Sequence, residues 1–302
     1  MKKHVYLSIF GVLFWLIAIP GSIQSQEEPS CLKMASWNIR VFSDSRTDEQ
    51  LRSICRVAKN FDFIAIQELR DENVLQRMVA MLKNEFGRSY SYELSPYVGY
   101  YEAMARGYDE SVLSEAERGN QELYAFLYDK SFIRVVERGK LFPDSTFFRR
   151  PYYATFRAGS FDFTTIVIHV IWGNSVENRR KEIRRLAHVY QTIQDSAPHE
   201  NDVILMGDFN REPDDDLAWG NIKSISGMIH LFNVPEKSMI WDSNLYDNLW
   251  FQGQYVKEFT LDRGIVRFDE SDFGNNDQKA SLDVSDHRPV WGLFRITGTD
   301  DD

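Results

Sequence analysis

Short apolar runs rich in β-branched and aromatic residues alternate along the chain with amphipathic stretches. The chain opens in the order strand, helix, strand, helix, at Lys33–Trp37, Asp48–Asn60, Phe61–Gln67 and Glu72–Asn84. Apolar residues recur every three or four positions in both helices, which is the spacing that gives a helix one buried face. Further strands are predicted at Leu123–Tyr128, Tyr152–Arg157, Phe161–Val170, Val203–Met206 and Val290–Ile296, with a helix at Val176–Gln194.

This alternation predicts an α/β domain in which mixed sheets pack against each other with helices outside. The segment Arg157-Ala-Gly-Ser160 is typical of a hairpin turn, so part of the sheet structure should be antiparallel. Residues 88–120 are rich in tyrosine and fit the pattern poorly. We expect them to form a long surface loop with some helix.

The N-terminus has the pattern of a secretory signal peptide. Lys2 and Lys3 precede an apolar run, Val5–Ile19, that is shorter than the roughly 20 residues needed to span a bilayer. We therefore expect a secreted or periplasmic protein without a stable membrane anchor; a retained anchor and a lipid on Cys31 are the weaker alternatives. The predicted divisions are a signal peptide (1–25), a short linker (26–31), one folded domain (32–297) and an acidic tail (298–302).

Composition agrees with a globular domain and limits the means of binding nucleic acid. The chain has 302 residues, of which 43% are hydrophobic, and a formal net charge of −10. No global basic field draws it to nucleic acid, although a local metal site and a few arginines would suffice for catalysis. The two cysteines, Cys31 and Cys55, are interpreted as unpaired, because Cys55 lies on the apolar face of a predicted helix. We expect a monomer.

Polar residues stand directly at the ends of predicted strands. They are Asn38, Glu68, His169, the pair Asp208 and Asn210 in Gly-Asp-Phe-Asn, and Asp286 with His287 in Ser-Asp-His-Arg-Pro-Val. Each alone has a plain explanation, such as an ion pair between Glu68 and Arg70 or a hydrogen-bonded core histidine. A carboxylate at the end of a buried strand costs several kcal/mol unless it is paired or bound to a cation. The whole set therefore indicates one converging site.

These motifs, in this order, resemble the endonuclease/exonuclease/phosphatase superfamily over about residues 32–297, and within it deoxyribonuclease I. The resemblance implies a four-layer α/β sandwich, with two packed mixed sheets flanked by helices. It also implies that Glu122 pairs with His169, that Asp247 pairs with His287, and that three arginines contact substrate. These are Arg40, Arg70 and Arg149, although Arg150 is equally placed. Asn120 stands where deoxyribonuclease I has a substrate-contacting tyrosine, and the cysteines of its two disulfides are missing, which leaves substrate preference open.

The chemistry of phosphodiester hydrolysis assigns a role to each residue. The reaction needs an activated water, stabilised negative charge and help for the leaving alkoxide. We expect His169 and His287 to act as general acid and general base, in either assignment, with Asp208 and Asn210 completing the catalytic set. Glu68, Asn38 and Asp286 offer oxygen ligands for Mg²⁺ or Mn²⁺, with a structural Ca²⁺ left open. The three arginines would bind flanking phosphates.

These expectations leave three functions. A secreted DNA endonuclease is favoured by the arginines and the overall pattern. The alternative is a phosphoesterase of the same fold acting on a phospholipid headgroup, an inositol phosphate or a sugar phosphate. A non-catalytic binding module is the least favoured, because every residue that the chemistry needs is present.

Overall fold

A computed structural model describes residues 1, 29–196 and 201–298. The predicted signal peptide thus lies outside the described residues except for Met1, as does the acidic tail except for its first residue. Within the described ranges, no helix is both long and apolar enough to cross a bilayer.

The described ranges contain thirteen strands and seven helices, where only helices of more than three residues are counted. The strands are β1 (Cys31–Phe42), β2 (Phe63–Leu69), β3 (Tyr90–Leu94), β4 (Val98–Gly99), β5 (Gln121–Asp129), β6 (Ile133–Leu141), β7 (Tyr152–Ala158), β8 (Phe161–His169), β9 (Val203–Asp208), β10 (Met228–His230), β11 (Asp247–Gln252), β12 (Phe259–Ile265) and β13 (Val290–Arg295). The helices are α1 (Asp48–Ala58), α2 (Glu72–Phe86), α3 (Tyr100–Ala105), α4 (Val176–Ser196), α5 (Asp216–Lys223), α6 (Phe268–Ser271) and α7 (Asp277–Asp283).

The strands form two mixed sheets. One has the order β12-β13-β1-β2-β5-β3, with β4 also paired to β5, and the other has the order β10-β11-β9-β8-β7-β6. Each contains one parallel pair, β1 with β2 and β8 with β9, and each pair is joined through a helix, α1 or α4. The predicted mixed sheets are confirmed.

The two sheets pack face to face, and helices cover their outer faces. Along β2, Phe63 and Ala65 point into the core between the sheets, while Ile64 and Ile66 face the core beneath α1 and α2. This is the two-residue alternation of a strand buried on both sides. A third core lies between the second sheet and α4 and α5. The result is the predicted four-layer sandwich.

Local sequence signals fix the helix ends that were predicted. The Thr47 side chain accepts a hydrogen bond from the Gln50 backbone amide at 3.2 Å, and the Thr47 backbone amide donates to Gln50 Oε1 at 3.0 Å, forming a capping box at the start of α1. The Asp71 side chain caps α2, which ends at Gly87 in the left-handed region.

The prediction for residues 88–120 was partly wrong. The segment contains β3, which pairs antiparallel with β5 from Tyr90 opposite Asp129 to Leu94 opposite Ala125, and β4, which also pairs with β5. Short helical turns follow at 100–105, 110–112 and 115–117. At the N-terminal boundary, β1 begins at Cys31, the last residue of the predicted linker, and both Cys31 and Cys55 are unpaired as predicted.

Candidate active site

Three neighbouring strands of the second sheet bring three ionisable side chains to one level. The pairing register sets His169 of β8 opposite Asp208 of β9, and Asp247 of β11 opposite the same aspartate. Side chains directly opposite each other in a ladder lie on the same face of the sheet. All three are buried, so their charges interact strongly.

Gly207, within β9, and Asn210, in the turn that follows β9, orient Asp208. Gly207 has φ of 153°, and a Cβ on this residue would lie 1.9 Å from the Ile168 carbonyl oxygen, so only glycine fits beside β8. Asn210, with φ of 51°, donates its amide to Asp208 Oδ1 at 2.9 Å and its side-chain Nδ2 to the Val170 carbonyl at 2.8 Å. Asn210 thereby fixes the aspartate carboxylate and ties the turn to the end of β8.

Two histidine–carboxylate pairs converge on this aspartate. His169 Nδ1 lies 2.9 Å from Glu122 Oε1, and His287 Nδ1 lies 2.8 Å from Asp247 Oδ2. The Nε2 atoms of both imidazoles lie 3.6 Å from the same atom, Asp208 Oδ2. The two Nε2 atoms are therefore at most twice that distance apart.

The carboxylates keep both imidazoles basic in spite of burial. Burial lowers the pKa of each histidine, but Glu122 raises that of His169, and Asp247 with Asp208 raises that of His287, so both pKa values end above the ordinary value. Burial opposes ionisation of Glu122, yet His169 and then Arg149 lower its pKa to about 2. The Glu122–His169 pair is thus strongly biased toward the charged state.

The first sheet contributes Asn38 and Glu68 to the same cluster. Asn38 Nδ2 donates to Asp208 Oδ2 at 3.0 Å and to Glu68 Oε1 at 3.2 Å. Glu68 is held at φ of 59°, and its Oε2 accepts a hydrogen bond from the Val41 amide at 3.0 Å. Burial raises the pKa of Glu68, but His169 and Arg70 outweigh it, so the pKa is lowered. The cluster therefore spans both sheets.

The segment before β13 is fixed by a serine whose role was not predicted. Ser285 Oγ donates to the Asn38 carbonyl at 2.7 Å and accepts from the backbone amides of His287 and Arg40, each at 3.1 Å. Asp286 lies at the rim, with its Oδ2 3.7 Å from Arg40 Nε. Ser285 thus ties the segment that carries His287 to β1, the neighbouring strand of the first sheet.

Two sets of side chains in this cluster could hold a cation. Asp208, Asp247 and His287 each offer a ligand atom within 4.8 Å of one another. Asn38 and Glu68 adjoin Asp208 from the other side, and Asn38 Oδ1 is buried without a hydrogen-bond partner in the described structure. The second set supplies two carboxylates and leaves the imidazoles free, which suits a hard divalent ion better, and Asn38 would add its Oδ1 if the amide turned its oxygen toward them.

The predicted arginines differ in what they contact. Arg70 forms the ion pair with Glu68, at 3.2 Å, that the sequence offered as a plain explanation for this glutamate, and it also donates to the Gln121 carbonyl at 2.8 Å. Arg40 remains partly exposed beside Asp286 and Ser281. Arg149 does not fit the predicted phosphate contact, because it is 5% exposed and its Nε lies 3.1 Å from Glu122 Oε2.

Further buried groups support the histidine side of the site. The Tyr124 hydroxyl accepts the His169 amide at 3.0 Å. Glu182 accepts the amides of Phe148 and Ile171 at 2.6 and 2.8 Å, and burial raises its pKa to about 7. Glu182 was missed although its spacing from the inward residues Leu186 and Ile193 of α4 places it on the buried face.

Comparisons with known proteins agree with this architecture. Residues 35–221 match the model of the Endonuclease/Exonuclease/phosphatase family. A deoxyribonuclease of Thioalkalivibrio sp. (strain K90mix) is 29% identical, over 87% of this chain and 71% of the relative, and deoxyribonuclease gamma of Rattus norvegicus is 26% identical, over 93% and 87%. The crystal structure of humanized D. rerio TDP2 superposes with a TM-score of 0.59 at 14% identity, covering 88% of this chain and 100% of the other.

Proposed function

The chain belongs to the Endonuclease/Exonuclease/phosphatase family and is a metal-dependent phosphoric ester hydrolase, and from this premise we propose that it is a secreted endonuclease that hydrolyses the backbone of DNA. One observation supports the chemistry above all others. Two imidazoles, each fixed by a carboxylate on Nδ1, present their Nε2 atoms to the same Asp208 oxygen at 3.6 Å. This arrangement suits proton removal on one side of a phosphorus atom and proton delivery on the other.

Each histidine has a defined tautomer for this work. A carboxylate that accepts from Nδ1–H leaves Nε2 to exchange the catalytic proton with water or with the leaving oxygen. Asp247 serves His287 in this way, and Glu122 serves His169. One imidazole takes the proton of the attacking water at Nε2, and the other gives its Nε2 proton to the departing alkoxide. The Asp208 carboxylate stabilises whichever imidazole is cationic.

Glu68, Asn38 and Asp208 are the proposed holders of Mg²⁺ or Mn²⁺, with Asp286 contributing from the rim. The unpaired Asn38 Oδ1 and the ionised state favoured for Glu68 fit a cation there. When bound, the ion supplies positive charge for the nonbridging phosphate oxygens. Arg40 provides an exposed guanidinium beside the site for a neighbouring phosphate, whereas Arg149 acts through Glu122.

Separate observations support DNA as the substrate and export of the protein from the cytoplasm. The similar deoxyribonucleases favour DNA over small phosphoesters. The lysines and apolar run of residues 1–25 favour export. N-terminal sequencing of the protein recovered outside the cytoplasm checks the second point, and recovery of the chain starting at Met1 would contradict it.

A nicking assay tests the proposed activity. Supercoiled plasmid is incubated with purified protein and Mg²⁺ or Mn²⁺, beside a panel of phospholipid, inositol phosphate and sugar phosphate substrates. We expect plasmid nicking that chelator abolishes and that His169→Ala and His287→Ala each reduce by about 100-fold or more. His188→Ala, which changes an exposed histidine on α4, is the matched control. Full activity in both catalytic-site variants, or hydrolysis of only a small substrate, would contradict the proposal.

A further inference from the structure

An exposed tryptophan is held rigidly three residues beyond His169. Trp172 is 46% exposed, yet Glu117 accepts its backbone amide at 2.8 Å and that of Gly173 at 2.9 Å. Arg179 donates to the Trp172 carbonyl at 3.0 Å. Most exposed apolar side chains need no explanation, but charged groups hold the backbone of Trp172 at both its amide and its carbonyl.

The indole ring is also held in orientation. The Arg179 guanidinium lies over it at 4.2 Å from the ring centroid, and the Tyr246 ring meets it at 6.3 Å and 66°. The guanidinium covers one face of the indole, and the exposed fraction leaves the ring open to a ligand. We call Trp172, Arg179 and Tyr246 the aromatic platform. Because its rings are ordered beforehand, a base that stacks on it loses little additional side-chain entropy.

The aromatic platform adjoins the catalytic cluster through the chain itself. Tyr246 directly precedes Asp247, and its carbonyl accepts the amide of Phe209, the neighbour of Asp208, at 2.9 Å. Glu117, which holds Trp172, also lies 3.6 Å from Arg149, the guanidinium that pairs with Glu122. The platform and the histidine site are therefore parts of one connected structure.

Building on the proposed function, we propose that the aromatic platform stacks an unpaired base next to the scissile phosphate, so that single-stranded or locally unpaired DNA is the preferred substrate. Bases in a duplex already stack on each other and cannot present a face to an indole, whereas unpaired bases can.

Cleavage of three matched oligonucleotides tests this preference. One is single-stranded, one is the same strand in a duplex, and one is single-stranded with abasic residues around the cleavage position. Loss of one stacked base, at about 1–3 kcal/mol, costs roughly 5- to 150-fold. We therefore expect Trp172→Ala to lower kcat/KM on the single strand by about that factor. Trp172→Phe should retain most of the activity, and Leu261→Ala, which removes an exposed apolar side chain from β12, should change nothing.

The abasic strand separates stacking from a general structural effect. We expect wild type and Trp172→Ala to cleave it at equal rates, since it offers no base to stack. Equal losses on all three substrates, or an unchanged rate on the single strand, would overturn the platform proposal while leaving the nuclease activity intact. If the wild type cleaves none of the three oligonucleotides, the proposed function itself fails.

Discussion

Replacing Arg149 with methionine should weaken the active site through Glu122, without removing a contact to the substrate. The guanidinium contacts two buried carboxyl groups, that of Glu122 at 3.1 Å and that of Glu117 at 3.6 Å. Burial lowers the pKa of Arg149, but Glu122 and then Glu117 raise it above the ordinary value, so the side chain carries its charge at every accessible pH. Methionine fills much of the same volume but leaves Glu122 without this counterion.

The expected loss of stability follows from the burial. Removing one partner of a buried ion pair costs about 3–5 kcal/mol, because the remaining charge is desolvated and unpaired. The pKa of Glu122 reports part of the same interaction, since lowering it from 4.5 to about 2 is worth about 3 kcal/mol in total, to which Arg149 contributes a share. That contribution is present above pH 4.5 and disappears as the pH falls through about 2. Arg149 is one of its causes, second to His169 among the charges.

Urea denaturation of wild type, Arg149→Met and Arg149→Lys measures this directly. At pH 7 we expect the methionine variant to lose about 3–5 kcal/mol of unfolding free energy and the lysine variant clearly less, because lysine keeps the charge. On acidification the methionine variant should lose less additional stability than wild type, since its Glu122 pKa is closer to the ordinary value.

Kinetics distinguish this role from the phosphate contact that the sequence suggested. A residue that positions Glu122 affects kcat through His169, whereas a residue that only binds a flanking phosphate affects KM. If Arg149→Met is as stable as wild type and raises KM alone, the buried-counterion interpretation is wrong.

Three further perturbations test separate parts of the structure. Burial raises the pKa of Glu182 from 4.5 to about 7, so the folded protein loses about 3 kcal/mol of stability as the pH rises from 4.5 through 7. Glu182→Gln should remove this decline, measured by urea denaturation between pH 5 and 8, and an unchanged dependence of the unfolding free energy on pH would contradict the assignment. Gly207→Ala should lower the free energy of unfolding by more than about 2 kcal/mol, because its Cβ would overlap the Ile168 carbonyl. Gly220→Ala, where the added Cβ meets open space in α5, should be neutral or slightly stabilising, and equal effects of the two variants in thermal denaturation would contradict the packing of β9 against β8. Glu68→Gln should raise the Mg²⁺ concentration for half-maximal nicking by about 10-fold or more, with Asp216→Asn, at an exposed aspartate of α5, as control. An unchanged metal requirement would place the ion elsewhere, for example on Asp208, Asp247 and His287.

The elements that periodicity predicted well are those with strong local signals. Helices α1, α2 and α4 and strands such as β8 and β9 combine regular apolar spacing with caps or β-branched runs. Strand β6 was missed because its burial is mixed and its sequence, IRVVERGKL, is largely charged, as expected of a strand at the sheet edge. Strand β3 was missed because its tyrosines were interpreted as part of a loop, whereas pairing with β5 determines its structure.

The residues of the candidate site also divide into those that the sequence could identify and those that it could not. Residues at the ends of apolar runs, such as Asn38 and His169, could be found because a polar group there interrupts a clear pattern. Glu117 and Ser285 carry no such signal, since their importance comes from hydrogen bonds to distant backbone groups. The contact of Arg149 with Glu122 was not predicted for a related reason, because sequence does not reveal whether a guanidinium faces a substrate or a buried carboxylate.

Bridging phosphorothiolate oligonucleotides test the central claim, that His169 and His287 serve opposite sides of one phosphorus atom. Sulfur in place of the leaving oxygen departs without a proton donor, so the substrate no longer needs the general acid. We predict that on the thio-substrate one of the two variants, His169→Ala or His287→Ala, regains a rate near that of wild type while the other stays impaired. Rescue of both variants, or of neither with the sulfur at the 3′ or the 5′ bridging position, would contradict the account.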